Sequence, residues 1–530
     1  MTLRLERIRR RASAYLNAGD YQAAAKNLES LLAENPGDDA ARLDLALLRM
    51  HQGRYREAHQ LTMRACERDP GNPALLRTRL EALAAFHEHA VMQGLAQRVS
   101  PSALDRAEDL AAIADALESF GDTSQAAQWI QQAQLRAPAD PVIQVKRAWI
   151  DHDSGRFEDA ERELIRVVAG PRPVPLAHWL LSRLRRQSAD AHHVERLQAL
   201  LLETVADPAS QACIGFALYK ELNDLGRHAD AWSALQTACA AKRRTLNYDA
   251  QETGHLFDRV IATFDHDRQI AASDLGGASA TPIFIVGMFR SGTTLLERIL
   301  GTHPQVAAGG ESQRLSAQLR LATDCAGADV LDEALLERAG DIHYADLGHR
   351  YLDAHEWLLQ GRSHFTEKLP SNFQLIGFVQ RALPQAKILH LVRDPMDTCW
   401  SNLTNLFGGV TAAYSYDQTE LADYHRQYQR LMQHWHRQFP GLICDVPYVD
   451  LISQPEDTAR RVMAFCGLPW VEGCTAIEKN RQPVRTASAE QVRQPIHGNS
   501  LGRWKPYAEW LRPLQEVLLP NVSPCRDPIS

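Results

Sequence analysis

Three short stretches of this chain hold residues suited to chemistry on an anion. The first is Pro282 to Ser312, PIFIVGMFRSGTTLLERILGTHPQVAAGGES. In it Gly287 and Gly292 bracket a loop that carries Arg290 and Ser291, and Thr293 and Thr294 open the segment that follows. Glycine lets the backbone come close to an anion, and a helix N-terminus adds free N–H groups and positive potential. Glu311 ends the same stretch, and a carboxylate there could take a proton from an attacking group. The second stretch is HFTEKLPSNF, His364 to Phe373, with Lys368 where a developing negative charge could be met. The third is KILHLVRDPMDTCWSNL, Lys387 to Leu403, in which Arg393 and Ser401 offer a forked permanent cation and a neutral donor.

The surrounding pattern says what must position these groups. Ile283 to Val286 is a short apolar run, as expected of a buried parallel strand, and Leu295, Leu296, Ile299 and Leu300 form the stripe of a helix ending near Gly301. GGES reads as a strand end or loop. His364 onward reads as a strand and then a helix start, with Ser371 or Asn372 as its cap. Ile388 to Val392 predicts another buried strand, with a helix from near Met396. Val446 to Trp470 predicts strand, turn and amphipathic helix. Strands alternating with helices imply an α/β domain with a parallel sheet, whose ligand crevice lies at the strand C-termini.

The glycine spacing resembles a Walker A loop, G-x-x-x-x-G-K-[ST], but Thr293 stands where the lysine belongs. FRSGTT instead resembles the 5′-phosphosulfate loop of the sulfotransferases, whose donor is 3′-phosphoadenosine 5′-phosphosulfate. The Arg393 and Ser401 stretch resembles their 3′-phosphate motif. By that resemblance Arg290, Ser291, Gly292, Thr293 and Thr294 hold the 5′-phosphosulfate, and Arg393 and Ser401 hold the 3′-phosphate. Lys368, in a KLP context that recurs in the family, stabilises the bridging oxygen, and Arg290 also meets charge on the transferring group. The GGES segment resembles that of tyrosylprotein sulfotransferases, which makes Glu311 the base. Tyr448 is placed either near the adenine or in core packing. NSLGRWKPY, Asn499 to Tyr507, resembles the family's closing glycine–x–tryptophan–lysine element. It departs from the pattern at His497 and Gly498, where cytosolic members have a basic pair, and at Gly502, where the tyrosylprotein enzymes have serine. Arg503 and Lys505 are then the fallback cations.

The first half follows another rule. GDYQAA, Gly19 to Ala24, recurs thirty-four residues later as GRYREA, Gly53 to Ala58. Gly121, Ala126, Ala133 and Pro138 continue the frame, as do Gly155, Phe157 and Ala160. His87 falls on the glycine position of a poorly matched unit, and Gly226, His228 and Ala231 form a displaced last one. This resembles the tetratricopeptide repeat, in which stacked helix pairs form a solenoid. The expected organisation is multidomain: an all-α solenoid over 1–245, a linker over 246–281 with DLGGASATP in it, and an α/β, P-loop-like sulfotransferase domain over 282–530.

A net charge of −7 over 530 residues argues against general nucleic-acid binding. Arg4, Arg7, Arg9, Arg10 and Arg11 read as a solvated helix face, with a membrane surface as the alternative. No apolar run approaches the roughly 20 residues of a membrane span, and no signal peptide is visible. Nine scattered cysteines without C-x-x-C predict neither zinc nor disulfides, so a cytoplasmic location is the default. The expected activity is metal-independent sulfuryl transfer to a hydroxyl, foremost a tyrosine in a protein or peptide held by the repeat groove. Alternatives are a sugar, lipid or small-molecule hydroxyl, a P-loop kinase, or a repeat scaffold with a silent second domain. Homo-oligomerisation through the repeats is also open.

Overall fold

The computed structural model describes residues 3–67, 73–265, 280–410, 412–480, 484 and 491–519. The N-terminal region is helical throughout, in antiparallel pairs such as Leu3–Asn17 with Tyr21–Glu34 and Ala107–Ser119 with Thr123–Arg136. Five of the pairs turn on a glycine in the left-handed region: Gly19, Gly53, Gly121, Gly155 and Gly226 have φ of 75°, 75°, 92°, 79° and 74°. His87 occupies the same place with φ 57°, so the imperfect unit keeps the turn without the glycine. Ala24, Ala58, Ala126, Ala160 and Ala231 are fully buried, which is why the frame demands a small side chain there. Asp20 and Asp122 cap their helices by accepting from Ala23 N and Gln125 N.

Within the stretch read as a linker, Ala250–Phe264 is a helix. Phe257, Val260 and Phe264 give it a buried stripe, and Phe264 meets Phe378 and Trp435 with centroids 5.0 and 5.5 Å apart.

Two compact units emerge. One comprises the described residues of Met1–Ile150 and Ser312–Gln360, the other those of Asp151–Ala271, Ser279–Glu311 and Gly361–Ser530. In the first unit the inserted segment is tied to the repeats: Arg56 N donates to Asp324 Oδ1 at 2.7 Å, and Arg56 Nε to the Leu321 carbonyl at 2.7 Å.

The second unit holds a five-stranded parallel sheet of β1 (Thr281–Val286), β2 (Val306–Ala308), β3 (His364–Glu367), β4 (Lys387–Val392) and β5 (Ile443–Pro447). Their order is β2-β3-β1-β4-β5. From β1 the chain goes to the edge strand β2, returns inward to β3 between them, then crosses to β4 and β5 on the other side of β1. The C-terminus of β1 is therefore a topological switch point, where open α/β sheets bind ligands. After β3 the structure corrects one expectation. Pro370–Leu375 is a 3₁₀ turn, and Asn372 does not cap a helix: its Nδ2 donates to the buried Glu367 Oε1 at 2.8 Å. Pro370 cannot donate to a regular ladder, and the buried carboxylate claims the amide instead.

Candidate active site

Every stretch singled out for chemistry leaves the same edge of the sheet. The 287–292 loop follows β1, Glu311 follows β2, Lys368 follows β3, Arg393 follows β4 and Tyr448 follows β5.

The loop is tightly fitted. A Cβ on Gly287 would stand 2.9 Å from Ser291 Oγ and 3.0 Å from the Leu391 carbonyl. Gly292 has φ 109°, and a Cβ there would stand 2.5 Å from the Tyr448 ring. Arg290 is left-handed at φ 68°, a conformation that costs a non-glycine residue about 1–2 kcal/mol. Three contacts hold it there. Arg393 Nη1 donates to the Arg290 carbonyl at 2.9 Å, Arg290 Nε donates to Ser401 Oγ at 3.1 Å, and Asn402 Nδ2 donates to the Phe289 carbonyl at 2.7 Å. The loop after β1 and the segment after β4 are thus one interlocked structure.

The cleft above them is open to solvent, about 510 Å³ with its open mouth included, and is lined on one side by Arg290, Gly292, Thr294, Leu295, Arg393 and Tyr448. Arg393 lies 4.7 Å over the Tyr448 ring, and its Nη2 donates to the Ser500 carbonyl at 2.7 Å. Its Nε is buried without a hydrogen-bond partner, and burial lowers the guanidinium pKa. A desolvated cation with an unmet donor favours an anionic ligand. Ser291 Oγ is also buried without a partner, and Thr293 is buried beside it. The residues present therefore suit a ligand with negative charge at the loop.

The far wall was foreseen only at His497 and in NSLGRWKPY, which contains Ser500. It consists of Ile477, Val492, Pro495, Ile496, His497 and Ser500. Ser500 Oγ is 2.8 Å from the Tyr448 hydroxyl, and Gly502 N donates to Asp397 Oδ1 at 2.7 Å. Burial raises the Asp397 pKa, opposed by that Gly502 N–H and by Arg393. Arg503 is turned to the Asn499 carbonyl, 2.8 Å from its Nε. The wall is anchored behind: Arg493 Nη2 and Val484 N both donate to the Asp153 carbonyl, at 2.6 and 3.1 Å. The Arg493 guanidinium fills the place a Gly155 side chain would take, 2.6 Å from that Cβ position.

On the other side of β1, Lys368 is fully buried and its Nζ sits 2.5 Å from Glu311 Oε1. Glu311 is about one-third exposed, so this carboxylate has one side on the lysine and one on solvent. A second acid, absent from the sequence reading, sets its position. Glu297 is buried, and its Oε1 accepts from Gly310 N at 3.0 Å and Thr366 Oγ1 at 2.9 Å. Thr366 Oγ1 in turn accepts from Gly309 N at 3.2 Å. Burial pushes the Glu297 pKa up, opposed by the Lys368 charge and these hydrogen bonds. Tyr414 and Tyr416 are buried in the core, with Tyr414 stacked on Tyr424 at 3.6 Å.

Residues 282–472 match the family model described as the sulfotransferase family, and residues 15–83 match the tetratricopeptide repeat. An uncharacterised protein of Aquifex aeolicus is 29% identical over 418 residues, covering 76% of this chain and 54% of its own. A protein-tyrosine sulfotransferase of Drosophila melanogaster is 24% identical over 236 residues, 42% of this chain and 46% of its own. The chain thus spans about half the length of these two relatives. The solved sulfotransferase domain of the Synechococcus PCC 7002 olefin synthase has 19% identity and a TM-score of 0.32, over 43% of this chain and 89% of that one. The C-terminal region therefore carries a sulfotransferase-family domain with protein-tyrosine sulfotransferases among its homologues, and a tetratricopeptide repeat precedes it.

Proposed function

We propose that this protein transfers a sulfuryl group from 3′-phosphoadenosine 5′-phosphosulfate to an acceptor hydroxyl, foremost a tyrosine in a protein or peptide. The observation that carries this reading is the interlock of the Arg290 loop with Arg393 and Ser401, beside a carboxylate–lysine pair at neighbouring strand ends. Arg290, Ser291, Gly292, Thr293 and Thr294 receive the 5′-phosphosulfate; Arg393 and Ser401 receive the 3′-phosphate; Tyr448 and the apolar far wall flank the base. Glu311 takes the acceptor proton as the acceptor oxygen bonds to sulfur. The bridging S–O bond breaks, and adenosine 3′,5′-bisphosphate leaves. Protonation of Glu311 weakens its hold on Lys368, which frees the ammonium for the departing oxygen. The protein's contribution is positioning and fixed charge, with no metal at this site. The protein-tyrosine sulfotransferases among the homologues support this acceptor class, and the repeats, a fold that commonly binds peptides, would supply the recruiting surface. Among the described residues no helix is long and apolar enough to cross a membrane.

The direct test is incubation with labelled donor and a tyrosine-peptide pool, followed by mass spectrometry. Sulfated peptide and adenosine 3′,5′-bisphosphate should appear together; neither product with any acceptor class would sink the assignment. Arg393→Ala should raise the donor KM roughly ten- to hundredfold, since a charge-assisted hydrogen bond contributes about 1.5–3 kcal/mol. Arg393→Lys should fall between, because the lysine lacks the fork. Glu297→Ala should lower kcat by about 10²-fold, with donor KM nearly unchanged, because Glu311 loses its seat. Glu297→Gln keeps an accepting oxygen and should restore most of kcat; equal loss in both variants would remove this positioning role.

A further inference from the structure

A second group of reactive side chains lies on the sheet away from the cleft. His390 on β4 and Asp445 on β5 are register partners, and His436 comes from the last turn of the helix Gln418–Gln438. One ligand atom from each lies within 4.8 Å of the other two. Asp445 Oδ1 is 2.7 Å from His390 Nδ1 and 3.1 Å from His436 Nε2. We propose that His390, His436 and Asp445 bind a divalent transition-metal ion of the zinc(II) type.

The donor set selects the metal class. Two imidazoles and one carboxylate suit zinc, cobalt or nickel, whereas magnesium and calcium prefer oxygen alone. Metal–ligand distances of about 2.0–2.2 Å place neighbouring ligand atoms roughly 3.3 Å apart in a tetrahedron, a small side-chain adjustment from the present spacing. Exposure follows the same logic. His390 is buried, while Asp445 and His436 are about half and one-third exposed, so the ion has a route in and a fourth position open to water.

The surrounding contacts support the ligands. His390 Nε2 is hydrogen-bonded to the buried Tyr428 hydroxyl, which sets the ring's orientation. Metal ligands commonly have such an outer partner on the second ring nitrogen. Without metal, a ring proton on Nδ1 donates to Asp445 Oδ1 across 2.7 Å and the Tyr428 hydroxyl donates to Nε2; with the ring proton on Nε2 instead, donating to the Tyr428 oxygen, the Nδ1 lone pair is released to the ion. The bound ion would join three elements: β4, the edge strand β5 and the C-terminal turn of the long helix. Its role would be structural, because its ligands belong to none of the donor-cleft lining.

The test uses the full chain, freed of any affinity tag and stripped with a chelator. Zinc(II) followed by titration calorimetry should saturate at one ion per chain, and cobalt(II) should give the visible absorption of a tetrahedral site. His436→Ala and Asp445→Asn alter partly exposed side chains, so circular dichroism should remain native. Each should weaken zinc(II) binding at least tenfold, and Tyr428→Phe about ten- to hundredfold through the outer partner. Absence of saturable binding at micromolar zinc(II) would overturn the site and leave a metal-free hydrogen-bonded network. Binding of equal affinity in both ligand variants would overturn it too, by placing the metal elsewhere.

Discussion

Glu311→Ala should reduce turnover by about 10²–10⁴-fold, the usual contribution of a general base, while donor affinity stays near its starting value. The separation follows from geometry. Glu311 follows β2, two strands from β1, whereas the cationic wall of the proposed donor cleft is built from the segments after β1, β4 and β5. Removing the carboxylate also leaves the fully buried Lys368 without its 2.5 Å partner, so some stability should be lost as well. Glu311→Gln separates the two effects. It retains an oxygen for Lys368 but no basic site, so it should melt close to the parent and remain slow. Single-turnover kinetics and donor titration on both variants decide the matter; unimpaired turnover in Glu311→Gln would remove this residue from proton transfer.

Gly292→Ala should be the most damaging small substitution in the cleft. Its φ of 109° is poorly tolerated by an L side chain, and the added methyl would stand 2.5 Å from the Tyr448 ring. Left-handed backbone costs about 1–2 kcal/mol and overpacking about 1–3 kcal/mol, so the pair should cost several kcal/mol. Relief would come from moving Tyr448, which also displaces Arg393 above it and Ser500 beside it. Donor binding should therefore fall by 10²-fold or more, measured by calorimetry, along with the melting temperature. Gly310→Ala is the control. Gly310 is also left-handed at φ 67°, but nothing lies within 4 Å of its Cβ position, so only the backbone term should appear. Equal donor affinity for parent and Gly292→Ala would show that the Tyr448 contact does not shape the cleft.

What the sequence displayed was local. A four-residue apolar run and bracketing glycines announced β1 and the loop, and Ile388–Val392, broken only by His390, announced β4, because a buried parallel strand is largely apolar on both faces. The 34-residue frame announced the helical array, because each turn needs a left-handed residue and each pair a small one. What it hid was non-local. Glu297 occupies an ordinary polar position of its helix, and only the fold brings Gly310 and Thr366 to it. The far wall, from Ile477 to Ser500, has no periodicity that would mark it as part of a site. His390, His436 and Asp445 come from three elements and have no metal-ligand spacing. Residues 312–360 follow the loop strand in sequence yet group with the first repeats, through contacts such as Arg56 to Asp324 that no local pattern encodes.

Gly155 belongs to the helical array by its spacing, yet its bare α-carbon is also the seat for Arg493, which tethers the far wall of the cleft. A methyl group at 155 would dislodge that tether, so a lesion in the scaffold would surface as faster escape of whatever ligand the cleft holds. The bare α-carbon of this turn therefore bears on ligand residence time as well as on the folding of the helices it joins.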